Sequence, residues 1–277
     1  MKTSKILFMA LLLVSNGLGA QKNSIDRYLS LKPSEIKARK AEIQEYAVTL
    51  KWQNLDAIHG NKFNCDAVSA TYIVGLENDS VSWKDVSSAQ ISDFLQTDYS
   101  GASLPSFNGF TYKINETNFL NEDFYESIPV EQRDLAKWLV SDAVQMQGLA
   151  WYIFDSLEFN KPFQMKFLNN YEIKFEDWVT FTSRYQKFIW SGITKYNNEV
   201  CAIIRFESLY NPLKIENSQM SVLGRALYYG EMWISLEDKQ VEYATMVEDD
   251  VLKLKSPLFP EEQLIDLQRE VIFKKKE

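Results

Sequence analysis

The chain has 277 residues, 45% hydrophobic and 14% aromatic, with 38 acidic against 30 basic side chains and a formal net charge of −8. That length can bury a sizeable core as one large domain or two small ones. An acidic chain with no basic stripe repels phosphate backbones, which excludes nucleic acid as a partner.

At the N-terminus, Lys2 and Lys5 accompany the apolar run Ile6 to Val14, followed by Gly19-Ala20 and then polar Gln21-Lys22-Asn23-Ser24. This is the three-part pattern of a secretory signal peptide, and the run is shorter than the roughly 20 residues a membrane-spanning helix needs. The expectation is a signal peptide over 1–20 and a single α+β domain over 21–277, exported to the periplasm or the extracellular space. Loss of Lys2 and Lys5 would leave 28 basic residues against 38 acidic ones. No later stretch is long and apolar enough to be a transmembrane segment.

Pro33-Ser34-Glu35-Ile36 has the form of a helix start, and Ile36, Ile43, Ala47 and Leu50 extend one apolar face to about Leu55. Gly60-Asn61 breaks that pattern. Val68 to Val74 and Val81 to Trp83 then form two strand patterns around the turn residues Glu77-Asn78-Asp79-Ser80. Residues 97–109, rich in Gly, Ser, Pro and Asn, are expected to be a loop. Pro129 suits the first turn of a long helix to about Leu157, with acidic residues near its N-terminal end. Beyond Phe167, β-branched and aromatic residues predict strands at 171–182, 184–194, 199–209, 221–236 and 240–254. Asn197-Asn198 and Glu237-Asp238-Lys239-Gln240 supply hairpin turns between them. A closing helix is expected from about Pro260 to Val271. The predicted fold class is therefore α+β: a helical N-terminal part packed on a curved antiparallel β-meander, with a short C-terminal helix.

Chemistry is sparse. His59 is the only histidine, and no Gly-x-Ser-x-Gly pattern accompanies it. With two distant cysteines it offers no zinc site, and nothing calls for a cofactor or metal. Cys65 and Cys201 would be a credible disulfide in an oxidising compartment. Alternatively they are two buried thiols, since Cys201 lies in the apolar run Val200 to Ile204. Glu231 and Glu242 flank the turn at 237–240, so they could face one groove as an acid and base pair. The triplet Glu248-Asp249-Asp250 lacks the ordered spacing of a calcium loop and reads as a solvated face.

The segment Gly224 to Leu236 is the most distinctive. It holds Tyr228, Tyr229, Glu231 and Trp233, and its glycines inside a strand mark a bend or a close approach. With Val241 to Met246 it resembles the paired strands of exported half-barrels such as the periplasmic lipoprotein carriers. The chain from 21 onward is also similar to a family of secreted bacterial proteins, a resemblance that supplies no activity. The carrier resemblance implies a curved sheet sheltering an apolar ligand, with Tyr228, Tyr229, Glu231, Trp233 and Glu242 as candidate binding residues. The leading expectation is a non-enzymatic binding protein for a hydrophobic small molecule. A glycan-binding or glycoside-hydrolysing protein, using tryptophan faces and the paired carboxylates, is the alternative, as is an assembly partner at the cell envelope.

Overall fold

The computed structural model describes residues 25–38, 43–114, 118–166, 169–175, 179–217, 219–257 and 261–277, with backbone alone at 149–151 and 174–175. The expected signal peptide at 1–20 lies outside the described residues. In chain order the strands are β1 (Gln44–Asp56), β2 (Lys62–Leu76), β3 (Ser80–Gln90), β4 (Ala102–Ser103) and β5 (Thr111–Lys113). The long helix α1 (Arg133–Ile153) follows. Then come β6 (Pro162–Gln164), β7 (Tyr171–Phe175), β8 (Val179–Ser183), β9 (Lys187–Tyr196) and β10 (Glu199–Glu216). The chain closes with β11 (Ser221–Ser235), β12 (Val241–Lys255) and β13 (Gln263–Lys275).

The α+β expectation is corrected here: the described residues form mostly one antiparallel sheet with a single long helix. The main path runs β4-β3-β2-β1-β13-β12-β11-β10-β8-β7, with β9 also pairing β10. The expected N-terminal helix is a single 3₁₀ turn at Pro33–Glu35 followed by β1, and the expected closing helix is β13. Both segments carry a period-two pattern that overrides the helical one. Tyr46, Val48 and Leu50 are buried on one face of β1, as are Arg269, Val271 and Phe273 on β13. Each strand is flanked on both sides, β1 by β2 and β13, and β13 by β1 and β12. Pairing on both sides along most of each strand supplies the ladder hydrogen bonds, so the tertiary context wins over local helix propensity.

One face of the sheet carries the core. Val48 and Leu50 of β1, Val68 and Tyr72 of β2, Trp83 of β3, Trp190 of β9, Ile204 of β10 and Val271 of β13 form one cluster with Ala136, Leu139, Val140, Ala143 and Met146 of α1. Ten strands abreast at about 4.8 Å apart would be far wider than a helix roughly 10 Å across, so sharing one helix requires the sheet to curl around it. The helix begins after Pro129 and a 3₁₀ turn at Val130–Gln132, with Asp134 in its first turn.

The opposite face has a smaller cluster, in which Cys65, Ala67 and Ile91 pack with Phe94 and Tyr99. Lys51 lies on this side and donates to the Phe94 carbonyl at 3.2 Å. Residues 91–99 thus cover part of the outer face. His59 sits in the β1–β2 turn, its Nδ1 2.7 Å from Asp56 Oδ2.

Of the two readings of the cysteines the disulfide is corrected: Cys65 and Cys201 are both free and buried. Cys65 lies on β2 and Cys201 on β10, separated by β1, β13, β12 and β11. Strand spacings of about 4.8 Å multiply across that path well past the roughly 7 Å Cα limit of a disulfide. Burial pushes the Cys201 thiol up to about 12 and raises that of Cys65. A thiol-reactive reagent is expected to modify neither cysteine in the native protein and both in denaturant, and the non-reduced mass should lack a two-hydrogen deficit.

Gly230 marks a close approach between strands. A Cβ there would collide with the Thr245 carbonyl and stand 2.8 Å from the Phe206 ring. Gly230→Ala is expected to destabilise by about 1–3 kcal/mol, the usual effect of overpacking, read as a fall in the urea midpoint.

Candidate functional site

Helix α1 has two working faces. Leu139, Val140, Ala143 and Met146 are buried in the core. Ser141, Val144, Gln145 and Gly148 look instead toward β8 and β10–β12 and border a cavity of about 600 Å³. Its walls are chiefly apolar: Ile153 from α1, Met165, Phe181 from β8, Phe188 from β9, Phe206 from β10 and Met246 from β12. A second lobe of about 310 Å³ adjoins it, sharing Phe119, Leu120, Ser141, Gln145, Phe181 and Tyr228.

The cavity lies where the sheet forks. β10 pairs β9 through Glu199–Glu207 and β8 through Leu213–Ile215, and its register against β11 shifts between Ser208 and Asn211. Asn211, fully buried, stitches this irregularity. Its Nδ2 donates to the carbonyls of Ser208 and Ala226, each at 3.0 Å. Its Oδ1 accepts from the Arg184 amide at 2.8 Å and from Ser208 Oγ at 2.9 Å. Three backbone groups beside the break, the Arg184 amide and the Ser208 and Ala226 carbonyls, are thereby paired, which holds the fork in place.

The smaller lobe is polar at one end. Arg269 of β13 donates through Nη1 to Asp142 Oδ2 of α1 at 2.7 Å, and through Nε to Glu248 Oε2 of β12. Tyr228 of β11 donates its hydroxyl to Glu248 Oε1, and the Trp138 ring lies 6.0 Å from the guanidinium. All three charged groups are at least nine-tenths buried. Burial works against the guanidinium, but Asp142, Glu248 and Tyr228 outweigh it and hold its pKa above the ordinary range. Burial pushes Asp142 up to about 6 against the pull of Arg269.

Asp250, one inward position beyond Glu248, is 6% exposed and also lines this lobe. Its Oδ1 has no hydrogen-bond partner among the described residues, and the same holds for Oδ1 of Asp142. Burial, reinforced by the Glu248 charge, pushes Asp250 up to about 8.

The sequence-predicted residues divide between the two faces of the sheet. Tyr228 lines both lobes. Tyr229, Glu231 and Trp233 have the opposite parity and point outward, where Trp233 Nε1 donates to Glu231 Oε1 at 3.0 Å and the indole packs on Tyr196 and Tyr243. Glu231 pairs laterally with Thr245, whereas Glu242 shares the inward face of Ala244 and Met246. The two carboxylates are therefore on opposite faces and do not form an acid and base pair across one groove. Glu242 is engaged instead by Lys275 Nζ, at the far end of β12 from Asp250, and burial raises its pKa.

Asp142, Arg269, Phe181 and Phe206 carry no local motif that marks them. For Glu248 and Asp250 a signal exists: strand alternation from Ala244 and Met246 puts both on the core side, with Asp249 facing away. Among the described residues, no cluster of His, Cys, Asp and Glu is arranged as a metal site, and no helix is long and apolar enough to cross a membrane. Comparison with protein-family models and with curated proteins gives no match.

The buried acid predicts a pH signature. Unfolded, Asp250 would titrate near about 3.9; folded, it holds its proton to about 8. Between those values the folded chain binds a proton the unfolded chain has released, so this group removes stability as pH rises. Asp250→Asn is expected to gain stability over wild type from about pH 5 to about pH 8, by more than the ~1.4 kcal/mol that one pKa unit represents. Chemical denaturation of both proteins at the two pH values reads the difference.

Proposed function

We propose that the chain is an exported, non-enzymatic binding protein that shelters a hydrophobic or amphiphilic small molecule between α1 and the curled sheet. The observation that carries this reading is the apolar cavity of about 600 Å³ under a helix whose other face is fully packed. A helix laid on a sheet ordinarily closes the space between them at close-packed density. Here Ser141 and Gly148 replace bulky residues on the helix face toward β8, β10 and β12, and the gap falls within the ~300–1,000 Å³ of small-molecule sites. Phenylalanines and methionines line it with few polar groups, as suits an acyl or polycyclic tail. The carrier resemblance and the expected signal peptide agree with this role and with an address outside the cytoplasm.

Ser141 borders both lobes, so filling it tests the reading directly. Ser141→Trp is expected to lower affinity for a fluorescent apolar probe at least tenfold while far-ultraviolet circular dichroism stays unchanged. A folded variant that binds the probe as well as wild type, or wild type that binds none, would remove the proposal.

A further inference from the structure

Resting on that cavity reading, we propose that the polar lobe selects an amphiphile with a cationic amine headgroup, seated against Asp250 and Asp142, its tail in the apolar lobe. Two carboxylates, Asp142 and Glu248, hold the Arg269 guanidinium there, and a third, Asp250, lines the same lobe. Glu248 is consumed on both oxygens, by Arg269 and by the Tyr228 hydroxyl. Asp142 spends one oxygen on Arg269 and leaves the other bare. Among the described residues Asp250 receives no hydrogen bond at Oδ1, and Arg269, the cation that acts on it, is bonded to Asp142 and Glu248. Both of these carboxylates are nine-tenths or more buried, and both line the lobe.

A buried acceptor without a donor is unfavourable, and a buried carboxylate without a cation more so. The lobe therefore lacks what an ammonium group brings: positive charge together with several N–H donors. An anionic headgroup would meet an excess of negative charge, since Arg269 is already engaged by two carboxylates. An uncharged hydroxyl would satisfy one acceptor and leave the charge excess in place. Lys137, at the rim near Asp134 and Glu122, is engaged with both and supplies no free cation to an anionic ligand. Continuity with the apolar lobe through Ser141, Phe181 and Tyr228 places the tail on the side away from the acids.

The burial that keeps Asp250 protonated until about pH 8 fits this assignment, because an arriving ammonium would stabilise the ionised form and release the proton. The titratable groups that face it are Tyr228 from β11, Glu248 from β12, Arg269 from β13 and Asp142 from α1, while Asp266 of β13 acts from the opposite face. Asp249 also contributes through the sheet.

The experiment compares dodecylamine, dodecanol and dodecanoate by calorimetric titration into the full chain and into Asp250→Asn, a shape-conserving change that removes the carboxyl group an ammonium would ionise. The expected result is that the amine binds wild type at least tenfold tighter than the alcohol, with the carboxylate weakest, and that the amine-to-alcohol ratio falls severalfold in Asp250→Asn. Equal affinities, or the carboxylate tightest, overturn the headgroup assignment and leave the cavity reading standing. An amine preference that survives Asp250→Asn unchanged overturns it too, since attraction by the acidic surface as a whole would then suffice. If none of the three binds, both readings fail.

Discussion

Arg269 sits where two demands of this fold meet. Its guanidinium rises from β13, near the middle of the sheet, grips Asp142 on the overlying helix and turns sideways to Glu248 on β12. Such a cluster contributes little net stability against an apolar replacement, yet removing one partner strands a buried charge and costs about 3–5 kcal/mol. It therefore acts as a positional device. With α1 anchored through Asp142 on one side and packed through Leu139, Val140, Ala143 and Met146 on the other, the helix cannot settle toward β8 and β10. The space left there is the cavity.

That space also depends on how the sheet is closed. β13 enters between β1 and β12, joining the N-terminal hairpins to the C-terminal meander into a single curled layer around one core. A curled layer has a concave side, and α1 occupies only part of it. The remainder opens where β10 changes partner from β9 to β8, with Asn211 supplying the hydrogen bonds the break would otherwise orphan. Shape at this corner comes from pairing geometry, while the lining comes from side chains brought by α1, β8, β9, β10, β11 and β12.

The candidate site was only partly legible in the sequence. Tyr228 lines both lobes from the glycine-bearing strand, whose glycines imply a close approach, and Gly230 is such a place. Its neighbours Tyr229, Glu231 and Trp233 fall on the outer face because a strand alternates, a consequence the composition of the segment alone conceals. Glu248 and Asp250 look like solvated charge when read as a run of three acids. Read at period two from Met246, they continue an inward face, and burial follows. Asp142 had no such cue, since a polar residue on an otherwise amphipathic helix usually faces water.

By itself the sequence determined the elements whose partners are near in the chain. The hairpins β2–β3 and β9 through β12, the turns at Asn197-Asn198 and 237–240, and helix α1 all follow from local periodicity and turn chemistry. Only the tertiary structure decided that 44–56 and 263–275 are strands. Tyr46 pairs Lys275 and Leu50 pairs Val271, so the hydrogen bonds that overrule helix propensity come from the far end of the chain. The same long-range closure set Cys65 and Cys201 on distant strands, and brought Asp142, Glu248 and Arg269 to one point beside Asp250. Local pattern fixes which way a side chain faces on its own strand or helix; what it faces depends on the packing of segments that no local rule connects.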